Sequence, residues 1–477
     1  MTWFRMQLRN ESDMSGSSHG KTTVEQRALW YIQTLEPTCA AYNSAMALEL
    51  HFSVEIPLLK KAVRSAVADH EILRSAFRSN SLGEIYRCRL DQPSELPCLE
   101  VSSSTLRGDE LYNLVSAVSK RPFKLDRESP FRAVLFPGKP DADVLLIVVH
   151  HIVADGYSHI LIAEEILQRY ASLAQFGQIR QGAARPEPKG IAERQQTYLA
   201  SARAQEDRAH WRRELAGLSS YLELPIDLPQ PPTYQYEGAE VPLELGLDLL
   251  DMIDGAATAA GVTTFTYLLA VYQVLLYKLS SQRDFVLGYT VSSRRGTLGR
   301  DAIGFFSSVL PLRSRIDPGH GFEEVLQETW TRLRRGIKHR AYPHALLPWP
   351  AELTRDIRRP GPVTASFAYT DFAESGPLAT VLAPGRRVEI SGLAVSSPGM
   401  PHQHGQFEIV WDLYRGPTFA QGQLKYNTSL FTQETAQRFS QEYTALLHAA
   451  LAGNLSTPLA ELPSVRPASS ECQTMPA

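Results

Sequence analysis

Val144-Leu145-Leu146-Ile147-Val148-Val149-His150-His151-Ile152-Val153-Ala154-Asp155-Gly156-Tyr157-Ser158 is the stretch on which the reading of this 477-residue chain turns. Its first six residues are apolar, four of them β-branched and two of them Leu. That composition suits a central strand covered on both faces. Asp155-Gly156 then breaks the run, and Ser158 is a good N-cap for the next segment. There Ile160, Ala163, Ile166, Leu167 and Tyr170 recur at helical spacing. Two adjacent histidines are therefore expected at a strand end, facing a helix N-terminus.

That position suits proton transfer. A histidine titrates near neutral pH, so it can take a proton from an attacking amine or hydroxyl and return it to a leaving group. Free backbone N–H groups at a helix N-terminus offer a place for negative charge developing on an acyl oxygen. Taken singly, however, either histidine reads as a packed structural residue or half of a metal site, and Asp-Gly alone is turn chemistry.

The full spacing, His150-His151-x-x-x-Asp155-Gly156, resembles the HHxxxDG motif of the condensation domains of nonribosomal peptide synthetases, shared with chloramphenicol acetyltransferase. Further resemblances follow in family order. Thr23, Gln26, Leu29 and Trp30 match SxAQxRLW, whereas Glu25 and Ala28 do not. His70, Glu71, Leu73, Arg74 and Phe77 match RHExLRTxF. Ile303 to Arg313 resembles IGxFVNTxxxR, with Ser307, Ser308 and Val309 as replacements. His339 with Tyr342-Pro343 resembles HQDYPFE, and Arg355-Asp356 with Arg359 resembles RDxSRNPL. The family's YxDFAVW motif is absent at Gly190 to Gln196.

The resemblance implies an α/β fold of two chloramphenicol-acetyltransferase-like lobes in a V-shaped pseudo-dimer, with an active-site tunnel between them. It implies a condensation enzyme joining a carrier-bound acyl or aminoacyl thioester to an amine or hydroxyl, giving an amide or an ester. In that picture His151 accepts the nucleophile's proton or holds the tetrahedral intermediate, and His150 is its buried neighbour. Gly156 lets the backbone approach the substrate and turns its N–H to the oxyanion. Arg294, with Arg74 in reserve, holds Asp155, and Ser307 and Ser308 lie on an acceptor-side loop. The rival for Arg294 is a solvated Arg294-Arg295 pair.

The implied partners are a peptidyl or acyl carrier protein as donor, and either a second carrier or a soluble small molecule as acceptor. No cofactor is expected to be bound; substrates travel on the phosphopantetheine of the carriers. A monomer is expected. Two alternatives come from other classes. A coenzyme-A-dependent acyltransferase shares HxxxDG, but Thr370-Asp371-Phe372-Ala373-Glu374 does not extend to the plant-type DFGWG. A non-catalytic recruitment domain is the other, and the intact His151 and Gly156 argue against it. An epimerase's Trp-Arg pair and a heterocyclase's aspartates are missing.

Composition sets outer limits. The 43% hydrophobic and 21% charged content is that of an ordinary soluble protein, and a net charge of -3 gives no electrostatic case for nucleic acid or an anionic membrane. Cys39, Cys88, Cys98 and Cys472 are scattered, indicating neither a metal centre nor a disulfide framework and fitting a reducing, cytoplasmic setting. The expected organisation is a flexible leader over 1–21, a first lobe over 22–174, a linker over 175–190, a second lobe over 191–462 and a disordered tail over 463–477. Met1 and the tail favour a free-standing chain over an excised segment.

Overall fold

The fold is built outward from the strand that carries the first histidine. In the computed structural model, which describes residues 19–91, 98–104, 106–138, 142–179, 185, 190–294, 299, 301–354, 356–373, 375–399, 405–452, 458–459 and 461, that strand runs from Asp143 to His150. The first half of the chain contains β1 (His19–Lys21), α1 (Val24–Leu35), β2 (Asn43–Leu50), α2 (Ile56–Asp69), β3 (Ser75–Ser79), β4 (Ile85–Arg89) and β5 (Leu99–Val101). There follow α3 (Gly108–Ser119), β6 (Phe131–Phe136), β7 (Asp143–His150) and α4 (Gly156–Phe176). β7 lies between β2 and β6, antiparallel to both, with Ile147 opposite Met46 and Ala133. Leu145 to Val149 are completely buried, and burial of each such side chain stabilises by about 1.5–3 kcal/mol. The apolar run has no polar face because sheet and helices cover it on both sides.

The second half contains α5 (Ile191–Leu199), α6 (Ala202–Leu215), β8 (Gly238–Glu244), α7 (Leu247–Ala259), α8 (Thr264–Ser280), β9 (Asp284–Ser292), β10 (Ser307–Arg315) and α9 (Phe322–Lys338). It continues with β11 (Ala365–Asp371), β12 (Arg387–Ile390), β13 (Leu393–Ser396), β14 (Ile409–Arg415), β15 (Ala420–Asn427) and α10 (Gln433–Leu451). Its sheet has the order β10-β9-β11-β14-β15-β8. Trp411, Leu413, Leu424 and Tyr426 are buried on the side of that sheet that packs into the lobe's own core with Tyr272 and Tyr443. Among the described residues no single helix is long and apolar enough to cross a bilayer.

The lobe boundaries differ from those expected. The first sheet has the order β12-β13-β2-β7-β6-β5, so two of its strands come from the second half of the chain. Val395 pairs with Leu50 and Ser396 with Glu49, and Phe372, Leu378, Val381, Ile390 and Val395 join the first lobe's core. The assignment of all of 191–462 to the second lobe therefore fails between Phe372 and Ser396. Pairing with β13 covers backbone groups that β2 would otherwise present as an open sheet edge. Within the expected leader, His19–Lys21 pairs with β4; residues 1–18 lie outside the described residues. Of the expected linker, 175–176 close α4 and Gly177 adopts a left-handed φ of 68° as its cap. Residues 180–184 and 186–189 lie outside the described residues, as do the tail 463–477, Cys472, Arg295 and Arg355.

Candidate active site

β7 delivers His150 at its last position and His151 one residue later, where the chain turns. The backbone of that turn is pinned from three sides. His150 N–H donates to Pro130 O at 2.9 Å, His151 N–H to Tyr42 O at 2.8 Å, and Val153 N–H to His150 O at 3.1 Å. The His150 ring is fully buried beside Tyr42 and Phe123, with ring centroids 6.4 and 6.2 Å away. Its Nδ1 accepts from Ile152 N–H at 3.1 Å, so its proton sits on Nε2, which has no partner among the described residues. Burial, helped by the neighbouring His151, lowers its pKa to about 3. His150 is therefore a neutral packing residue with no access to substrate.

His151 is the opposite case. Its ring is half-buried, and Nδ1 lies 3.1 Å from Ala154 O. A carbonyl only accepts, so Nδ1 carries the proton and Nε2 holds a free lone pair. Burial lowers the His151 pKa below its ordinary value; the Ala154 carbonyl and Asp155 oppose that shift, and Lys425 reinforces it. The neutral, proton-accepting form is favoured at neutral pH. The Phe305 ring, from the second half of the chain, stands 6.1 Å from the imidazole.

The turn ends in an ion pair that bridges the lobes. Asp155, not Ser158, is the N-cap of α4: its Oδ1 accepts from Ser158 N–H at 2.8 Å. Both residue types cap well, but the Ser158 hydroxyl is already used, donating to Gly304 O at 2.8 Å and accepting from Gly304 N–H at 3.0 Å. Arg294 grips Asp155 with both arms, Nη2 to Oδ1 at 2.7 Å and Nε to Oδ2 at 3.2 Å. Arg294 also donates to Ser158 Oγ at 2.6 Å and to the carbonyls of Gly299 and Ala302 at 2.7 and 2.8 Å. Its guanidinium lies over the rings of Phe306 and Tyr157, 4.4 and 4.8 Å from their centroids. The side chains of the pair are only 10% and 4% exposed.

Known proteins resemble this chain along most of its length. A profile of the family described as Condensation domain matches residues 19–473. The chain belongs to the condensation domain family. It is 26% identical over 459 residues to bacitracin synthase 1 of Bacillus licheniformis, covering 92% of this chain and 8% of that protein. It is 29% identical over 435 residues to a probable non-canonical nonribosomal peptide synthetase, CymA, of Salinispora arenicola, covering 90% of this chain and 5% of the other. This condensation domain thus spans less than a tenth of the length of these relatives. Its fold superposes on a four-domain nonribosomal peptide synthetase with a TM-score of 0.82 at 22% identity, covering 96% of this chain and 35% of that one. It superposes on the X-domain from teicoplanin biosynthesis with a TM-score of 0.81 at 19% identity, covering 96% and 100%. The two-lobed, chloramphenicol-acetyltransferase-like α/β fold is therefore the fold of this chain.

Two further expectations land as follows. Arg74 is not at the histidine turn's aspartate: it pairs with Asp91 at 3.2 Å, where its own strand neighbourhood supplies a nearer carboxylate. Ser307 and Ser308 are not on a loop but open β10, in antiparallel register with Ser292 and Val291 of β9. Among the described residues no group of three or more His, Cys, Asp and Glu side chains is placed to hold a metal ion.

Gly156 opens α4 and is exposed. Nothing lies within 4 Å of where a Cβ would stand, and the N–H groups of Gly156 and Tyr157 have no acceptor among the described residues, as befits a helix N-terminus. A substrate carbonyl can enter that space. Gly156→Ala is expected to leave thermal stability within about 0.5 kcal/mol of the parent while lowering the rate of acyl transfer. Equal loss of both, read by thermal melting beside turnover, would assign Gly156 to the fold instead.

The second lobe supplies residues that sequence reasoning did not single out. Alternation in β14 and β15 puts Asp412 and Tyr414, with Gln423 and Lys425, on the face opposite the buried Trp411, Leu413, Leu424 and Tyr426. Tyr414 packs against the first lobe's core. It stacks on Phe372 at 6.1 Å, which stacks on Tyr157 at 6.4 Å. The strands themselves were legible; that Tyr414 on this face packs against Phe372 of the first lobe's core was not.

Proposed function

We propose that this condensation domain joins a carrier-bound acyl or aminoacyl thioester to an amine or hydroxyl acceptor, forming an amide or an ester. The observation that carries the reading is the tautomer of His151: Nδ1–H is committed to Ala154 O, so Nε2 is the free base. Beside it, the free N–H groups at the start of α4 can meet the charge that develops on the thioester oxygen.

The acceptor nitrogen or oxygen attacks the thioester carbon while His151 Nε2 takes its proton. The tetrahedral intermediate then collapses, the carbon–sulfur bond breaks, and the carrier thiolate recovers that proton from the imidazolium. Phosphopantetheine brings the thioester in as substrate; this chain's residues position it and move the proton. His150, Asp155 and Arg294 hold the turn, and Ser307 and Ser308 border the acceptor side. Carrier proteins are the partners this reading requires, with a soluble acceptor as the alternative to a second carrier.

An intact-mass assay with acyl-loaded carrier protein and a mixed panel of amine and alcohol acceptors tests this. Acyl mass is expected to leave the carrier only when acceptor and His151 are both present, and product mass separates amide from ester. Turnover of coenzyme A thioesters alone would make the chain a small-molecule acyltransferase. No turnover with either donor across a broad panel would favour a recruitment role.

A further inference from the structure

The turn that carries His151 is held at one further point, from α1. Gln26 Nε2 donates to Ile152 O at 3.0 Å, across 126 residues of sequence and in a buried setting. Ile152 O shares a planar peptide unit with Val153 N–H, and that N–H donates to His150 O at 3.1 Å. The plane is therefore gripped at both ends, by the turn itself and by Gln26. It lies between His151 and Ala154, whose carbonyl accepts from the imidazole. A buried carbonyl needs a donor, and here the donor comes from a helix rather than from the turn.

Gln26 is itself fixed. The residue is 8% exposed. Its Oε1 accepts from Thr23 N–H at 3.1 Å, while Gln26 N–H donates to Thr23 Oγ1 at 3.2 Å, a capping box at the start of α1. With a donor facing Oε1 and a carbonyl facing Nε2, one orientation of the amide satisfies both. α1 is anchored in its turn. Val24 N–H donates to Gln195 Oε1 at 2.7 Å, and Gln195 Nε2, from α5, donates to Glu25 Oε2 at 2.8 Å. Farther along the helix, Trp30 Nε1 donates to Phe77 O at 2.9 Å. The glutamine thus reaches the turn from a rigid base. Capping alone does not call for an amide. A glutamate completes the same box and its charge suits a helix N-terminus better, but a carboxylate has no hydrogen to give Ile152 O.

We propose that Gln26 is a positioning residue for acyl transfer: by holding the Ile152–Val153 peptide it keeps Ala154 O on His151 Nδ1–H, and so keeps Nε2 the free base. The proposal rests on the reading of His151 as that base. Two variants separate this role from support of α1. Gln26→Met keeps the length of the side chain and removes the donor to Ile152 O. Thr23→Ala removes the capping hydroxyl and leaves that donor in place. A residue that merely supports the helix predicts like effects of both; a positioning residue predicts unlike ones.

The test is nitrogen NMR of the full chain with labelled histidine rings, which reads the protonation of each ring nitrogen. His151 is identified among the 13 histidines by the signals missing from His151→Ala. In the parent, Nδ1 is expected to read as protonated and Nε2 as unprotonated. Gln26→Met is expected to draw the two signals together, because the tautomers exchange once Ala154 O no longer selects one. It should also lower kcat by up to about 100-fold with KM little changed, since a misplaced catalytic group is felt in the chemical step. Thr23→Ala should lower the melting temperature and keep the parent's ring signals. Parent-like ring signals in Gln26→Met, or equal disturbance of them by Thr23→Ala, would overturn the proposal. If Gln26→Met does not fold, Gln26→Glu replaces it: the ionised side chain keeps the cap and offers Ile152 O no donor, and parent-like signals there would overturn the proposal equally. Because the ring signals are read without turnover, the two readings fail separately. The expected signals in a protein without acyl transfer would sink the condensation reading alone. Acyl transfer that needs His151, with ring signals unmoved in Gln26→Met, would sink this one alone.

Discussion

Arg294→Met is expected to destabilise the chain by about 3–5 kcal/mol, the range for removing one partner of a buried ion pair, and to abolish acyl transfer. Asp155 is 4% exposed on its side chain and would lose both guanidinium bonds. It would keep only the Ser158 N–H. The cost is that of a carboxylate left in a site with little water, and the carbonyls of Gly299 and Ala302 would lose their donor as well. Arg294→Lys keeps the charge but not the two-armed grip or the packing over Phe306 and Tyr157, so it should fall between. The pair Arg294→Met with Asp155→Asn separates charge from shape. With no charge left uncompensated, the double variant should be more stable than the sum of the single losses. Denaturant midpoints for the four proteins supply the cycle. Strict additivity would mean that the contact seen here carries no coupling.

Why the sequence led to Arg294 and only partly to its surroundings is a matter of range. The run from Val144 to Val149 could be read as a doubly covered strand because burial on both faces leaves a local mark, an unbroken apolar string. Helix α8 was expected from Phe265 to Leu279 and runs Thr264–Ser280, since its capping residue and its apolar face are also local. The reading of Ser158 as cap failed for a different reason. Asp155 and Ser158 are chemically equivalent caps, and what separates them is Gly304, 146 residues away, which engages the serine. Arg74, held in reserve for Arg294, is occupied instead by Asp91.

Strands β12 and β13 were the least legible part. Nothing in Arg387–Ile390 or Leu393–Ser396 states which sheet they join, because pairing with β2 is decided by an open edge more than three hundred residues earlier in the chain. The same limit applied to Tyr414. Alternation in β14 marked its face, but its stacking partner Phe372 belongs to the first lobe's core. Local pattern specifies elements; the site lies where elements distant in sequence meet. The motif residues were found through a family resemblance, which carries long-range information that periodicity does not.

His151→Ala should lower the rate of acyl transfer about 10²–10⁴-fold, the usual contribution of a positioned general base, with little effect on the fold. The backbone bond from residue 151 to Tyr42 O does not depend on the side chain. The half-buried ring makes one hydrogen bond, to Ala154, worth about 1 kcal/mol. The loss should be larger for a hydroxyl acceptor than for an amine. A deprotonated amine attacks with its own lone pair and needs mainly alignment, whereas an alcohol must lose its proton as it attacks. The pH profile adds a second reading. The neutral imidazole is the active form, and burial lowers the His151 pKa. The neutral fraction therefore stays high as pH falls, and the acid limb for a hydroxyl acceptor should lie below about 6.5, the value for an unperturbed histidine. With an amine acceptor the acceptor's own protonation would mask that limb at higher pH. Near-equal turnover of His151→Ala and parent with a hydroxyl acceptor would leave positioning and the α4 N-terminus as the sources of rate. An acid limb above the ordinary histidine range in the parent would mean that a group other than a neutral, desolvated His151 controls the reaction.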